Sequence, residues 1–204
     1  MEVAHLAGWE FRYGRDDVLA GDRPWQAKRI VVRAAFEAGA ERVFWCDADV
    51  VVHDPVALAQ ILNQEGRPGI WSQMPLGLED YWAMQAIRNR GNEGLMGRVR
   101  GLYRELCREH HLEADGQHFM DWFVGYVIPR ETALRMLDVW DRIAERLLAE
   151  GLTWSDGVSL GIAAAACGVP IRYCLRRRRV LRAITHLLHS NRTGRYAEKG
   201  TCQP

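Results

Sequence analysis

Short apolar runs of strand length alternate with helical segments along most of this 204-residue chain. The clearest helical segment is residues 131–150, where large apolar side chains recur every three to four positions until Gly151. The strand candidates are rich in β-branched, aromatic and other apolar residues, and they lie at residues 42–46, 50–52, 69–72, 122–128, 171–174 and 180–189. This alternation predicts an α/β fold with a mostly parallel central sheet that helices flank.

Three further segments carry helical signals. Residues 26–37 predict an amphipathic helix that stops at Gly39, and its apolar side is formed by Ile30, Val31, Ala34 and Ala35. Asp54 and Pro55 predict the start of another helix, because Asp accepts the free amide hydrogens and Pro tolerates the first helical position. Residues 79–112 are charged and are also predicted to be largely helical.

Length and charge limit the possible partners of the chain. There is room for one sizeable domain, and neither an internal repeat nor a low-complexity linker divides it, so we predict a single domain over residues 1–204. The formal net charge is +1, so the molecule as a whole does not attract nucleic acid or membranes electrostatically. We therefore expect no nucleic-acid partner, and any charge-driven chemistry has to be local.

Cysteine usage and hydropathy indicate the compartment. The five cysteines are scattered without a CxxC pair, which favours a reducing environment over a disulfide framework. No apolar run approaches the roughly 20 residues of a membrane span, and charged residues interrupt the N-terminal segment where a signal peptide would lie. We expect a cytoplasmic protein without a transmembrane segment, and the basic run at residues 176–179 leaves a peripheral membrane contact as a minority alternative.

The motif with the most chemical content is Asp47-Ala48-Asp49, which follows the strand candidate at residues 42–46. Two carboxylates two residues apart in extended chain point to the same side, and a divalent cation relieves their repulsion. Mg²⁺ and Mn²⁺ accept such oxygen ligands and complete their coordination with water and substrate phosphates. The motif therefore predicts a metal site that faces a diphosphate. The alternative is a turn in which both aspartates only cap backbone amides.

A family resemblance rests on this region. The segment Trp25-Gln26-Ala27-Lys28, the helix after it and the run from Val43 to Pro55 around the DXD motif resemble the metal-binding region of GT-A-type glycosyltransferases. The similarity is to the galactosyl/mannosyl transferases of yeast Golgi and plant xyloglucan type and to glycogenin-like enzymes. It implies a single GT-A-like (Rossmann-like) domain. Residues 1–78 would be its nucleotide-sugar and metal half, residues 79–189 its acceptor half, and residues 190–204 a polar tail.

The same resemblance implies a reaction and a metal site. Relatives of this kind move a hexose from a nucleotide-diphosphate sugar to an acceptor hydroxyl, mostly with retention, and use Mn²⁺ or Mg²⁺. By analogy Asp47 and Asp49 bind the metal. A histidine near the C-terminus completes its coordination, and this is His189, with His186 as the alternative. Residues three apart on one strand face opposite sides, so only one of the two is expected to be a ligand.

Other residues are assigned to the donor and acceptor by resemblance. Asp47 and Ala48 would contact the donor sugar or ribose, and Gly125 would lie on a strand near the donor sugar. Lys28 would approach the donor phosphates, although it could equally be a solvated helix residue. Asp156 would be catalytic or acceptor-binding, although a carboxylate in the first turn of a helix is also favoured by the helix dipole alone. Three tryptophans are candidates for stacking on a sugar, although most tryptophans are expected in the core: Trp71, Trp82 and Trp154.

Two departures from the family keep alternatives open. The first strand, which normally frames the nucleotide base, would lie before Met1, and the usual His-x-x-Gly plus Lys ending is replaced by residues 189–195. A non-catalytic sugar-binding, nucleotide-binding or partner module on a degenerate GT-A fold is therefore the main alternative. A haloacid-dehalogenase-type phosphatase with Asp47 as nucleophile is less favoured, because the valine run at residues 50–52 follows where that family has a loop.

Overall fold

A computed structural model describes residues 2–6, 9–13, 27–47, 50–63, 66–72, 75–88, 93–113, 117–119, 123–151, 156–173 and 182–186. In these residues the chain is mixed α/β and forms six helices and ten short strands. The helices are α1 (Ala27–Glu37), α2 (Pro55–Asn63), α3 (Leu78–Arg88), α4 (Glu93–Glu109), α5 (Arg130–Ala149) and α6 (Asp156–Ala166). The strands are β1 (Glu2–Leu6), β2 (Trp9–Tyr13), β3 (Val43–Cys46), β4 (Val50–Val52), β5 (Gly69–Ser72), β6 (Pro75–Gly77), β7 (Gln117–Phe119), β8 (Phe123–Val127), β9 (Ile171–Tyr173) and β10 (Ile184–His186).

The largest sheet has four strands in the order β3-β8-β5-β9. It is mixed: β5 pairs antiparallel with β8 and parallel with β9. The sequence predicted a mostly parallel sheet, and the difference has a topological reason. A single helix between two strands returns the chain to the same end of the sheet and gives a parallel pair. Here β6, α3, α4 and β7 lie between β5 and β8, and α5 and α6 lie between β8 and β9, so neither connection is a single crossover helix.

Three two-stranded ladders accompany this sheet, formed by β1 with β2, β4 with β10, and β6 with β7. The β1–β2 hairpin is antiparallel, with Leu6 paired to Trp9 and Glu2 paired to Tyr13. We did not predict this hairpin from the sequence. A signal was present, because residues 9–13 alternate aromatic and charged side chains with the period of two that marks a strand.

The chain divides into two compact units. The first unit combines three segments that are distant in sequence, Met1–Arg15, Cys46–Gly66 and Leu175–Pro204. The second unit combines Asp16–Trp45 with Arg67–Cys174. The first unit therefore contains β4, α2 and β10, and the second contains the other five helices and the sheet strands β5, β8 and β9.

The second unit has an extensive apolar core that α5 helps to form. The predicted helix at residues 131–150 is confirmed to within one residue at each end, and Gly151 follows it with a φ of 67°. Its buried face follows the predicted spacing and includes Met136, Leu137, Trp140, Ile143 and Leu147. Full burial of such side chains contributes about 1.5–3 kcal/mol each. All five residues of β8 are also buried, which makes this unit a conventional packed core.

Helix α1 turns a different face inward from the one that its sequence predicted. The predicted apolar side is exposed: Ile30 is 51% exposed, and Val31 and Ala34 are exposed as well. Val32 and Phe36, which lie four positions apart, are instead fully buried. Apolar residues lie on both sides of this helix, so periodicity alone could not choose the inward face.

The contacts of α1 with α5 explain which face was chosen. Arg33 donates to Asp138 at 2.8 Å and to Asp141 at 2.6 Å, and the buried Arg29 also pairs with Asp141. The two aspartates lie on α5, so the basic side of α1 packs towards that helix. These pairs stabilise an arrangement in which long side chains bury their stems and keep their charges compensated.

In the first unit, α2 begins as the sequence predicted. The carboxylate Oδ1 of Asp54 accepts a hydrogen bond from the Ala57 amide at 2.9 Å, and Pro55 is the first helical residue. A side-chain cap of this kind is worth about 1 kcal/mol. The buried face of α2 contains four apolar residues, Leu58, Ala59, Ile61 and Leu62.

Candidate functional site

The DXD motif lies at the tight connection between β3 and β4. Asp47 directly follows β3, and its carbonyl oxygen accepts a hydrogen bond from the Val50 amide at 2.9 Å. This bond joins the two described residues that flank Ala48 and Asp49. Strand β4 begins at Val50, immediately after the turn. Asp47 is partly buried, and Ala48 and Asp49 lie outside the described residues.

Cys46, the last residue of β3, shows how restricted the environment beside the motif is. Burial, and after it the charge of the Asp47 carboxylate, raises the pKa of the Cys46 thiol to about 12. The thiol therefore stays protonated at neutral pH in the metal-free protein.

The pairing of β4 with β10 brings the C-terminal histidine segment to the motif. The two strands are antiparallel, and their register pairs Ile184 with Val52 and His186 with Val50. Val50 is the residue that closes the DXD turn, so the backbone of His186 lies opposite the end of that turn. The chain continues from His186 towards His189, which lies outside the described residues. The sequence predicted this association only by family resemblance.

Further hydrogen bonds fix the C-terminal segment beside α2. The carbonyl oxygen of Ala183 accepts hydrogen bonds from the amides of His53 and Asp54, at 2.8 and 3.2 Å. Ala183 and Ile184 are both buried. The predicted strand at residues 180–189 is therefore shorter than expected where it is described: residues 182–183 are helical, and only Ile184–His186 are extended.

The predicted ligands are of the residue types that bind divalent metal ions. Carboxylate oxygens favour Mg²⁺ and Mn²⁺, and an imidazole nitrogen is compatible with the softer of these, Mn²⁺. Among the residues that the structure describes, no three His, Cys, Asp or Glu side chains are grouped to hold a metal. Asp49 and His189, two of the three predicted ligands, lie outside that part of the chain. The described part thus supplies the turn, Asp47 and the strand that ends at His186.

Lys28 is buried rather than solvated. Only 4% of the residue is exposed, and its Nζ lies 5.8 Å from the centre of the Trp45 ring. A cation over an aromatic face gains about 0.5–2 kcal/mol, the larger value where water is excluded. Trp45 precedes Asp47 by two residues. The alternative of a solvated helix residue is therefore wrong for Lys28, whereas a contact with donor phosphates remains a prediction.

Gly125 has a packing role that the sequence did not reveal. A Cβ atom at this position would lie 2.3 Å from Cε1 of Phe44, which is far inside contact distance. The Phe44 ring therefore covers Gly125, and it also packs near Phe123, with 6.3 Å between the ring centres. A glycine inside a strand often marks such a close approach. Close packing of Phe44 explains this glycine without a donor sugar, and the predicted donor contact of Gly125 remains untested.

Asp156 is the first residue of α6, as predicted. The side chains that follow it are buried, including Val158 and Ser159. Asp156, Gly125 and Lys28 all belong to the second unit, whereas Asp47 and His186 belong to the first.

The tryptophan candidates for sugar stacking belong to the core where the structure describes them. Trp71 and Trp82 are buried, and the indole nitrogen of Trp71 donates to the carbonyl of Arg67 at 3.0 Å. Neither ring is accessible to a sugar, so stacking on these two was a wrong alternative and the core prediction is confirmed. Trp154 lies outside the described residues.

Comparison with known proteins adds no assignment, because no protein-family model, curated protein or solved structure matches this chain. In the described part of the chain, none of the helices has both the length and the apolar character that crossing a membrane requires.

Proposed function

We propose that this protein is a metal-dependent glycosyltransferase that moves a sugar from a nucleotide-diphosphate sugar to an acceptor hydroxyl. The observation that supports it best is the β4–β10 register, which pairs His186 with Val50 at the end of the DXD turn. This register supports the proposal because it brings the backbone of a histidine-bearing strand next to the residue that follows the DXD motif.

In this proposal Asp47, Asp49 and one C-terminal histidine, His189 or His186, hold Mn²⁺ or Mg²⁺. The bound ion would supply charge neutralisation for the departing diphosphate. The chain's own residues bind and orient the substrates. Lys28, whose Nζ lies 5.8 Å from the centre of the Trp45 ring, would approach the donor phosphates. Asp156 would orient the acceptor hydroxyl or stabilise the sugar carbon, with retention of configuration.

The proposal includes a GT-A-like fold, with residues 1–78 as the nucleotide-sugar half, residues 79–189 as the acceptor half and residues 190–204 as a polar tail. The phosphatase alternative is disfavoured because β4 starts at Val50 directly after the motif, where that family has a loop. We place the enzyme in the cytoplasm, where a saccharide or another hydroxyl compound would be its acceptor and a peripheral membrane contact is compatible with the fold.

Calorimetric titration with a panel of uridine and guanosine diphosphate sugars, with and without Mn²⁺, tests this function. We expect binding that requires the metal, and donor hydrolysis that is lost in Asp49→Ala. Asp80→Ala, which removes an exposed carboxylate from the first turn of α3, is the matched control and should behave like the wild type. Replacing His189 and His186 separately by Ala, with His110→Ala as control, identifies the histidine ligand.

Three results would change the assignment. Full activity of Asp49→Ala under strict chelation would refute a metal-dependent reaction. Absence of metal-dependent binding for every nucleotide sugar would favour the non-catalytic binding module. Hydrolysis of a phosphate monoester that is lost in Asp47→Asn would instead favour the phosphatase.

A further inference from the structure

A buried hydrogen bond links α6 to α4 close to Asp156. The hydroxyl groups of Tyr103 and Ser159 lie 3.0 Å apart, Tyr103 is 0% exposed and Ser159 is 2% exposed. Ser159 is three residues after Asp156, so it belongs to the same first turn of α6. A hydrogen bond between two buried side chains contributes about 0.5–1.5 kcal/mol, so the pair opposes displacement of this turn.

The Tyr103 side of this bond is itself fixed by aromatic packing. The ring of Trp82 in α3 lies 5.8 Å from the ring of Tyr103, and the ring of Tyr81 lies 4.9 Å from that of Trp82. Glu79, in the first turn of α3, pairs with Arg100 of α4. Helices α3 and α4 therefore hold the Tyr103 hydroxyl in a defined position, and α6 is tied to that position through Ser159.

We infer that Tyr103 and Ser159 are positioning residues that set where the first turn of α6, and with it Asp156, is held. The inference rests on the proposed function, in which Asp156 acts on the acceptor or the sugar carbon. A catalytic carboxylate has to stay within a fraction of an ångström of its productive position, and a misplacement of about 1 Å can cost 100-fold in rate. The buried hydroxyl pair supplies this constraint where the helix begins.

Two substitutions remove the bond with minimal change in volume. Tyr103→Phe and Ser159→Ala each delete one hydroxyl, and we expect each to lower kcat about tenfold while the donor KM changes by less than about twofold. The double variant should lose little more than either single variant, because both changes remove the same interaction. Ser159→Thr, which keeps the hydroxyl, should restore most of the rate.

Ile143→Val is the control for a merely structural effect. Ile143 is a buried residue of α5 outside this hydrogen bond, and its shortening lowers stability without touching the pair. We expect its kcat to equal that of the wild type. Equal kcat for Tyr103→Phe and the wild type, or an equal loss of kcat in Ile143→Val, would overturn the positioning role.

Amide hydrogen exchange separates failure of this inference from failure of the proposed function. In an α-helix the amides of residues 160–162 donate to the carbonyls of the first turn of α6. We expect their exchange in Tyr103→Phe to accelerate several-fold beyond what its loss of global stability accounts for, and in Ile143→Val to accelerate only by as much as its loss of global stability. Unchanged exchange in Tyr103→Phe refutes the positioning role. A wild-type protein that transfers no sugar refutes the proposed function, while the exchange result still decides whether the bond holds α6.

Discussion

The two compact units of the chain differ in how their segments are arranged and in how many described apolar residues they bury. The second unit has a large apolar core, to which α4, α5, α6 and β8 all contribute. The first unit joins three distant segments, and its buried apolar residues are few where they are described: the inner face of α2 together with Ala183 and Ile184. The candidate metal turn belongs to the first unit. Its described contacts include long-range strand pairing between β4 and β10.

The largest expected effect is in the second unit, where a strand and a loop approach closely. Gly69 has a φ of +149°, and a Cβ atom there would lie 2.6 Å from the carbonyl oxygen of Pro170. Gly69→Ala should lower the free energy of unfolding by about 4 kcal/mol, because backbone strain adds to a steric clash. Gly97→Ala, at a helical position with open space, is the control and should raise it by about 1 kcal/mol. Urea unfolding measures the stability of both variants. If Gly69→Ala were as stable as the wild type, the backbone around β5 would have moved to relieve the clash, and the prediction would be wrong.

The next effect tests whether the C-terminal strand holds the first unit together. Ile184 is 1% exposed and its backbone pairs with Val52, so Ile184→Asp places a charge at a buried position of β10. We expect about 3 kcal/mol of destabilisation, seen as faster amide exchange in α2 with little change in α5. The exposed Arg182→Ala is the control. Equal acceleration of exchange in α2 and α5 would mean that the two units unfold together. The two units would then not differ in stability.

The smallest effect at neutral pH concerns Cys46 beside the motif, which changes the stability only in alkaline solution. The pKa of Cys46 is raised from 9.0 to about 12, so the unfolded chain releases this proton at a lower pH than the folded chain. The contribution of the Cys46 thiol to the free energy of unfolding is constant below about pH 9. Between about pH 9 and 12 the free energy of unfolding falls by about 1.4 kcal/mol per pH unit. Cys46→Ala should therefore show a shallower alkaline loss of stability than the wild type in urea unfolding. Cys167→Ala, the control, should keep the wild-type slope, and identical slopes for all three proteins would contradict a buried thiol at Cys46.

Local elements were largely predictable from the sequence because their causes act over a few residues. The cap at Asp54 and the spacing along residues 131–150 lie within single elements, and both predictions are confirmed. The inward face of α1 was not predictable, because acidic partners on α5 selected the side with Arg29 and Arg33. The packing at Gly125 was equally hidden, since it depends on where Phe44 lies on a neighbouring strand.

By itself the sequence determined that helices and strands alternate, where most of them begin, and that two aspartates follow a strand. Only the tertiary structure decided the directions of the sheet strands, the turn at Asp47 and the pairing of His186 with Val50. The physical reason is the separation in sequence over which each interaction acts. Capping and side-chain periodicity are set by neighbouring residues, whereas strand register depends on burial and hydrogen bonding between segments that the sequence places far apart.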